Sequence, residues 1–189
     1  MRKLRIRRVN LNPRFSKSFP LLIDIKKVSV NQTEKYYRNK DKINKVILSK
    51  TDPHEVIHGE YAVQRQIPSY LHRHTNDIDI FSQTPLKDAI EVEKALDKKF
   101  KGDCFSVNPG MHPGTWKVVA HANKQSVADY TRPDKDIPHV TINGLNYATL
   151  RYMKDKAKKT LQNPLADFRQ AKDQDTINRI TLAKKKEKK

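Results

Sequence analysis

Two aspartates one residue apart lie inside an apolar run of this chain, at Asp77 and Asp79. On a β-strand, residues i and i+2 project from the same face, so both carboxylates would point one way while Ile78 and Ile80 pack on the other side. Adjacent carboxylates repel each other, and the usual compensation is a divalent cation that prefers oxygen ligands, such as Mg²⁺ or Mn²⁺. The pair therefore predicts a metal site, although a surface strand with two solvated aspartates would show the same pattern.

The residues upstream of this pair extend the pattern. The run Val56-Ile57-His58-Gly59-Glu60-Tyr61-Ala62-Val63 precedes a spacer and then Arg73-x-Thr75-x-Asp77-x-Asp79. This arrangement resembles the nucleotidyltransferase superfamily, and most closely its small AbiEii-type members, over residues 56–81 and more weakly to residue 180. The resemblance implies an α/β (α+β) fold with a small mixed sheet flanked by helices. It also implies transfer of an NMP from an NTP to a hydroxyl acceptor, RNA or a tRNA end as in toxin-like relatives.

The resemblance also implies a third carboxylate on a strand beyond the helix that follows the Asp pair. Asp129 fits, because it lies in the strand-like segment 127–131. It would complete the metal cage and act as, or orient, the base that deprotonates the attacking hydroxyl. Asp134 and Asp136 are competitors in a proline-containing loop.

Nucleotide-binding residues follow from the same resemblance. Gly59 would let the backbone approach the triphosphate. Arg73 and Thr75 would brace the loop before the metal strand, with a phosphate contact as the alternative for Arg73. Lys154 would bind phosphate as a point charge, unless it is simply one lysine on a solvated helix face. Lys172 would contact the nucleotide or pair within the helix bundle.

One residue departs from the family pattern. The second small residue of the family's glycine pair is Glu60 here, and a carboxylate facing the cleft would repel phosphate. The alternative is therefore a catalytically degenerate protein of this fold that acts as a nucleic-acid-binding or structural component.

A second motif competes with this interpretation. His54-Glu55-Val56-Ile57-His58 matches H-E-x-x-H, the zinc-protease signature. That motif requires a continuous helix with both histidines on one face, but Pro53 precedes it and Gly59 follows it. Val56 and Ile57 also form the apolar lead-in to the glycine turn, so the two interpretations exclude each other.

The charge distribution indicates a polyanionic partner. The net charge is +18, and residues 1–50 hold 15 Lys/Arg against 3 Asp/Glu. Nucleic acid, RNA in particular, is favoured over a membrane because no strongly amphipathic basic helix stands out. The candidate contacts lie in the first twenty residues with Phe15 and Phe19 among them, and they are Arg2, Lys3, Arg5, Arg7, Arg8, Arg14 and Lys17. The same extension could instead dock a protein partner.

The chain is expected to divide into three parts. Residues 1–50 form a basic extension with a strand near 21–30 and a helix over 33–50, residues 51–183 form the nucleotidyltransferase-like domain, and the Lys-rich tail 184–189 is expected to be disordered. Within the domain, we predict helices over 60–70, 84–101, 145–162 and 165–183, and strands over 76–81, 103–107, 115–122 and 125–131. A single cysteine, Cys104, and the absence of a secretory or membrane-spanning pattern favour a cytoplasmic protein.

Overall fold

The computed structural model of the chain describes residues 39–186. Its strands form one sheet in the order β3-β4-β5-β2-β1-β7-β6. The β2–β5 and β1–β7 pairs are parallel, whereas the other neighbours are antiparallel. The strands are β1 Val56–His58, β2 Ile78–Phe81, β3 Phe105–Pro109, β4 Thr115–Ala120, β5 Ser126–Thr131, β6 His139–Ile142 and β7 Leu145–Ala148. The predicted α/β (α+β) class, with a small mixed sheet flanked by helices, is confirmed.

The helices surround this sheet. They are α1 (residues 39–50 of the described chain), α2 Gly59–Gln64, α3 Pro85–Phe100, α4 Leu150–Leu161 and α5 Gln170–Lys186, with short 3-10 helices at Ser69–Leu71 and Pro164–Arg169. None of the helices in residues 39–186 is long and apolar enough to span a lipid bilayer.

One face of the sheet packs against α1 and α3. Ile78 and Ile80 of β2 are buried there, as their spacing predicts. Residues Ala89, Val92 and Leu96 of α3 recur at helical spacing and complete this core, together with Ile43 and Ile47 of α1. The prediction that α3 begins at Pro85 is confirmed, and the helix stops where Lys101 adopts a left-handed φ of 57°.

The opposite face of the sheet packs against α4 and α5. Phe81 of β2 packs there with Met153 of α4 and with Ile180 and Ala183 of α5. Because Asp79 alternates with Ile78 and Ile80, it projects from this second face. The candidate site therefore lies on this face.

The hairpin of β6 and β7 corrects one prediction. The helix expected over 145–162 begins only at Leu150, because residues 145–148 form β7 instead. The connecting residues Asn143 and Gly144 have φ values of 52° and 80°, as a two-residue type I′ turn requires. The Asn-Gly pair between alternating strand residues was the signal for this hairpin.

The zinc-protease interpretation is wrong. Val56–His58 is a β-strand and His54 lies in a turn, so the two histidines do not share a helix face. His58 is buried and stacks on Phe81 with the ring centroids 3.8 Å apart. Burial lowers the pKa of His58 well below its usual value, with the charge of Lys156 acting in the same direction.

Other elements differ from prediction in their bounds. The helix expected over 60–70 ends at Gln64 and is followed by a 3-10 turn. The helix expected over 165–183 is divided into Pro164–Arg169 and α5. Helix α5 continues through Lys186, so the first residues of the tail expected to be disordered are helical. The basic residues of the first twenty positions and the predicted strand near 21–30 lie outside the described residues.

Candidate active site

The structure brings Asp77, Asp79 and Asp129 together. Strands β2 and β5 are parallel neighbours, and their register places Asp79 directly beside Asp129. Asp77 immediately precedes β2. One carboxylate oxygen from each residue lies within 4.8 Å of the other two, and this is the only such acidic, His or Cys group in residues 39–186. Asp134 and Asp136, the competitors of Asp129, are not part of it.

The electrostatics of this group fit a divalent cation. The pKa of Asp79 is raised to about 7, chiefly by burial and then by the charges of Asp77 and Asp129, against the lowering effect of Lys156 and Lys172. Carboxylates this close repel one another, and a divalent cation between them would offset the repulsion. Oxygen ligands at this separation suit Mg²⁺ or Mn²⁺. The group could therefore hold such an ion.

Thr75 orients Asp77. Its Oγ1 donates to Oδ1 of Asp77 over 3.1 Å. Lys40 of α1 donates through Nζ to the carbonyl oxygen of Thr75 and lies 3.2 Å from Nε2 of His74. Lys40 of α1 therefore contacts the loop that carries Asp77, and Thr75 contacts the Asp77 carboxylate directly.

Gly59 is required by its position beside Asp79. Its φ is +66°, and a β-carbon built there would lie 1.9 Å from Oδ2 of Asp79. His58 pairs with Asp79 across β1 and β2, so the next residue turns over the carboxylate. The structure therefore gives a reason for this glycine other than approach to a triphosphate: any side chain would displace Asp79.

Glu60 is held by two arginines. Its side chain is only 3% exposed, and its Oε1 and Oε2 accept from Arg179 of α5 over 2.8 and 2.7 Å. Nη2 of Arg73 donates to Oε2 over 2.7 Å, while Nη1 of Arg73 reaches Asp175 over 3.0 Å. Arg179 also donates to the carbonyl oxygen of Leu71 over 3.1 Å. The network fixes the loop before β2 against α5, so Arg73 braces this loop.

The two lysines predicted to bind phosphate or nucleotide, Lys154 and Lys172, make different contacts. Nζ of Lys154 donates to Oγ1 of Thr181 over 2.7 Å, which directs this lysine to α5. Lys172 is exposed and lines a cavity of about 330 Å³ together with Glu60, Arg73, His74 and Thr75. Its charge favours the ionised form of Asp79. Lys172 is thus near enough for its charge to act on Asp79, whereas Lys154 is engaged in a helix–helix contact.

Sequence reasoning missed Lys156. Its Nζ lies 5.3 Å from the centroid of the Phe81 ring, and its charge acts on Asp79 two residues earlier in β2. Much of the side chain is exposed, yet burial around the ammonium lowers the pKa of Lys156, with Asp79 opposing that effect. Lys156 is therefore the α4 lysine that faces the acidic group.

Lys117 and Arg179 were also missed. Nζ of Lys117 lies 2.8 Å from Oδ2 of Asp129, and Ser126 donates through Oγ to Oδ1 of the same carboxylate. Arg179 had no signal in the sequence beyond an arginine between apolar positions of a helix.

Comparison with known proteins identifies the fold. No family model and no curated protein matches the chain. The structure is similar to the Megavirus polyadenylate synthase with a TM-score of 0.69 and 19% identity, covering 97% of this chain and 40% of that one. A second similar structure is JHP933 from Helicobacter pylori, with a TM-score of 0.41, 18% identity and coverage of 63% of this chain and 55% of that one. The chain thus spans less than half of the viral protein, and it has a nucleotidyltransferase-like fold.

Proposed function

We propose that the protein is a metal-dependent nucleotidyltransferase that transfers an NMP from an NTP to a hydroxyl acceptor. The convergence of Asp77, Asp79 and Asp129 on one sheet face carries this proposal. The fold shared with a polyadenylate synthase supports the same class of reaction. Whether the protein is an AbiEii-type member stays a prediction.

The three aspartates would hold Mg²⁺ or Mn²⁺, which when bound polarises phosphoryl oxygens and lowers the pKa of a coordinated hydroxyl. Asp129 lies beside Asp79 and is the group that would accept or orient the proton of the acceptor hydroxyl. Thr75 fixes the carboxylate of Asp77, so little rearrangement is needed for it to bind an ion.

The phosphates of the NTP would be bound by Lys156 and Lys172 in place of Lys154. Both lysines act electrostatically on Asp79, whereas the ammonium of Lys154 is engaged by Thr181. An ammonium near the metal ligands neutralises charge on a transferring phosphoryl group. Glu60 does not oppose this, because Arg73 and Arg179 neutralise its carboxylate. That pairing favours the enzyme over a catalytically degenerate protein.

RNA is the acceptor that the composition supports best. The net charge of +18 suits a polyanion, and a 3′ end supplies the hydroxyl. The acidic group would then be the reactive centre, and basic residues elsewhere in the chain would hold the acceptor strand.

The test is incubation of the full chain with each labelled NTP, Mg²⁺ and total RNA. We expect label to enter RNA with one preferred NTP, and we expect Asp77→Asn, Asp79→Asn and Asp129→Asn to abolish the transfer. Asp134→Asn is the matched control and should keep full activity. Transfer that persists in all three site variants would show that the acidic group is not the catalytic centre.

A further inference from the structure

We propose that Lys117 is a displaceable counter-ion of the acidic group: its ammonium occupies the place beside Asp129 that a divalent cation takes, so metal binding requires Lys117 to leave. This inference rests on the proposed function, because it concerns the same carboxylates. On this inference, Lys117 competes with the metal ion and so determines how tightly the ion binds.

Both oxygens of Asp129 are engaged within the described part of the chain. Lys117 Nζ lies 2.8 Å from Oδ2, and Ser126 donates to Oδ1. The carboxylate side chain is 14% exposed, so there is little room for a further ligand. A cation that contacts Asp129 through Oδ2 must therefore replace the ammonium or share the oxygen with it at the cost of repulsion.

The sheet register explains why Lys117 reaches this carboxylate. Val119 pairs with Ser126, but Val118 pairs with Ala128, so a bulge leaves Val127 opposite no residue of β4. A bulge shifts every later pair by one position, and it aligns Lys117 with Asp129. Asp79, Asp129 and Lys117 therefore lie side by side on β2, β5 and β4. Without the bulge, Lys117 would pair with Ala128.

The charges of Asp79, Asp129 and Lys117 allow the Lys117–Asp129 ion pair to open when a metal ion binds. Three carboxylates within 4.8 Å of one another need positive charge nearby, and Lys117 supplies a single charge through a flexible stem. Its side chain is 36% exposed, so the ammonium can move into solvent when a divalent ion supplies the compensation. The charge of Lys117 thus stabilises the metal-free protein and opposes the metal-bound one.

The first experiment measures Mn²⁺ binding to the full chain by calorimetry without nucleotide. We expect Lys117→Met to bind Mn²⁺ about tenfold more tightly than wild type, because the competing charge is gone. Lys98→Met is the control: it removes one exposed charge from α3, on the other face of the sheet, and should leave the affinity unchanged. Equal or weaker Mn²⁺ binding by Lys117→Met would overturn the inference.

The second experiment measures thermal stability in the presence of a chelator. Lys117→Met should lower the Tm in the wild-type background, because the carboxylates lose their counter-ion, and saturating Mn²⁺ should restore it. In an Asp129→Asn background, the same substitution should have little effect. Equal losses of Tm in the two backgrounds would show that Lys117 contributes only packing.

These measurements separate the inference from the proposed function. Mn²⁺ binding that tightens in Lys117→Met, with no NMP transfer by wild type, supports the inference and contradicts the enzyme. NMP transfer by wild type together with unchanged Mn²⁺ affinity in Lys117→Met supports the enzyme and contradicts the inference. If Lys117→Met weakens NTP binding alone, Lys117 is a phosphate ligand and the counter-ion inference is wrong.

Discussion

Glu60 shows how one residue acquires a role that its place in a motif does not give it. In the family pattern a small residue occupies this position, and the acid first suggested a repelled triphosphate. The structure instead pairs both oxygens with Arg179 and Arg73, and Arg179 is almost fully buried. A buried charge is tolerated only when it is paired, so the acid and the arginines depend on each other.

We therefore predict that Glu60→Gly destabilises the protein by about 3–5 kcal/mol, because it leaves Arg179 buried without its partner. Urea unfolding measures the change. Glu60→Gln keeps one acceptor oxygen for the arginines and should lose less, whereas Glu91→Gln removes an exposed acid and should have little effect. NTP affinity that rises in Glu60→Gly at unchanged stability would show that the carboxylate faces the phosphates instead.

Glu55 gives a prediction for the dependence of stability on pH. It is 5% exposed, and its pKa is raised from 4.5 to about 7. Burial is the main cause, the hydrogen bond from the Asp52 backbone N–H opposes it, and the charges of Asp88 and Asp52 add to it. A raised carboxyl pKa means that the folded state keeps a proton that the unfolded state has lost. This residue's contribution to stability should therefore fall between pH 4.5 and 7 and then stay constant.

The test is Glu55→Gln, which should be more stable than wild type above pH 7 by up to about 3 kcal/mol and equal to it near pH 4. Denaturant titrations over this range give the difference between the two proteins, so the contributions of other carboxylates cancel. Asp136→Asn, in an exposed loop, is the control. A difference that does not change with pH would show that Glu55 is ionised throughout.

At the scale of elements, the hairpin of β6 and β7 depends on the backbone conformation of its turn. Gly144 has a φ of +80°, and a β-carbon there would meet nothing within 4 Å. Its requirement for glycine is therefore conformational alone. The hairpin matters to the site because β7 is the parallel neighbour of β1, which leads into Gly59.

Gly144→Ala should accordingly destabilise the protein by about 1 kcal/mol, since a left-handed φ is costly for alanine. Gly102→Ala is the matched control: Gly102 has no positive φ, and its β-carbon would make an ordinary 3.6 Å contact with Sγ of Cys104. That variant should be neutral or slightly more stable. Thermal unfolding of both variants, monitored by circular dichroism, measures the contrast. Equal effects would contradict the conformational explanation.

The elements also show what periodicity can and cannot predict. β2, α3 and β5 were predictable because their apolar spacing matches a strand or a helix. The expectation that Asp129 joins the Asp pair came from the family resemblance, which implies a third carboxylate on a strand beyond α3. On α4, however, Lys154 and Lys156 lie at about equal angles on either side of the buried Met153 and Ala157. Only the packing of α4 against its neighbours decides which lysine faces the site.

The place of Lys117 was not predictable for a different reason. A simple hairpin count between β4 and β5 pairs Lys117 with Ala128, and the bulge at Val118 and Val119 changes this by one residue. A one-residue shift moves a side chain to the other face of the sheet. The sequence carries no turn or glycine signal for this bulge, so the contact with Asp129 becomes visible only in the folded sheet.

At the scale of the whole molecule, the most basic segment of the chain and the candidate catalytic residues lie in different parts of the sequence. Residues 1–50 hold 15 Lys/Arg against 3 Asp/Glu, whereas the acidic group and its lysines come from residues beyond them. The division predicts that the basic residues near the N-terminus contribute affinity for nucleic acid and that the residues after position 50 contribute the reaction. The two contributions can therefore be tested separately.

Deletion of residues 1–20, which removes seven Lys/Arg, should weaken RNA binding and make the plot of log K against log salt shallower. The slope should fall by roughly 0.7–0.9 for every phosphate that the extension neutralises, because fewer counterions are released. Mn²⁺ binding by the acidic group should survive, since Asp77, Asp79 and Asp129 lie outside the deletion. Fluorescence anisotropy over a salt series, with calorimetry of Mn²⁺ binding as the control, separates the two effects. Unchanged RNA affinity with an unchanged salt slope would assign the extension to a protein partner, because its charges would then neutralise no phosphate.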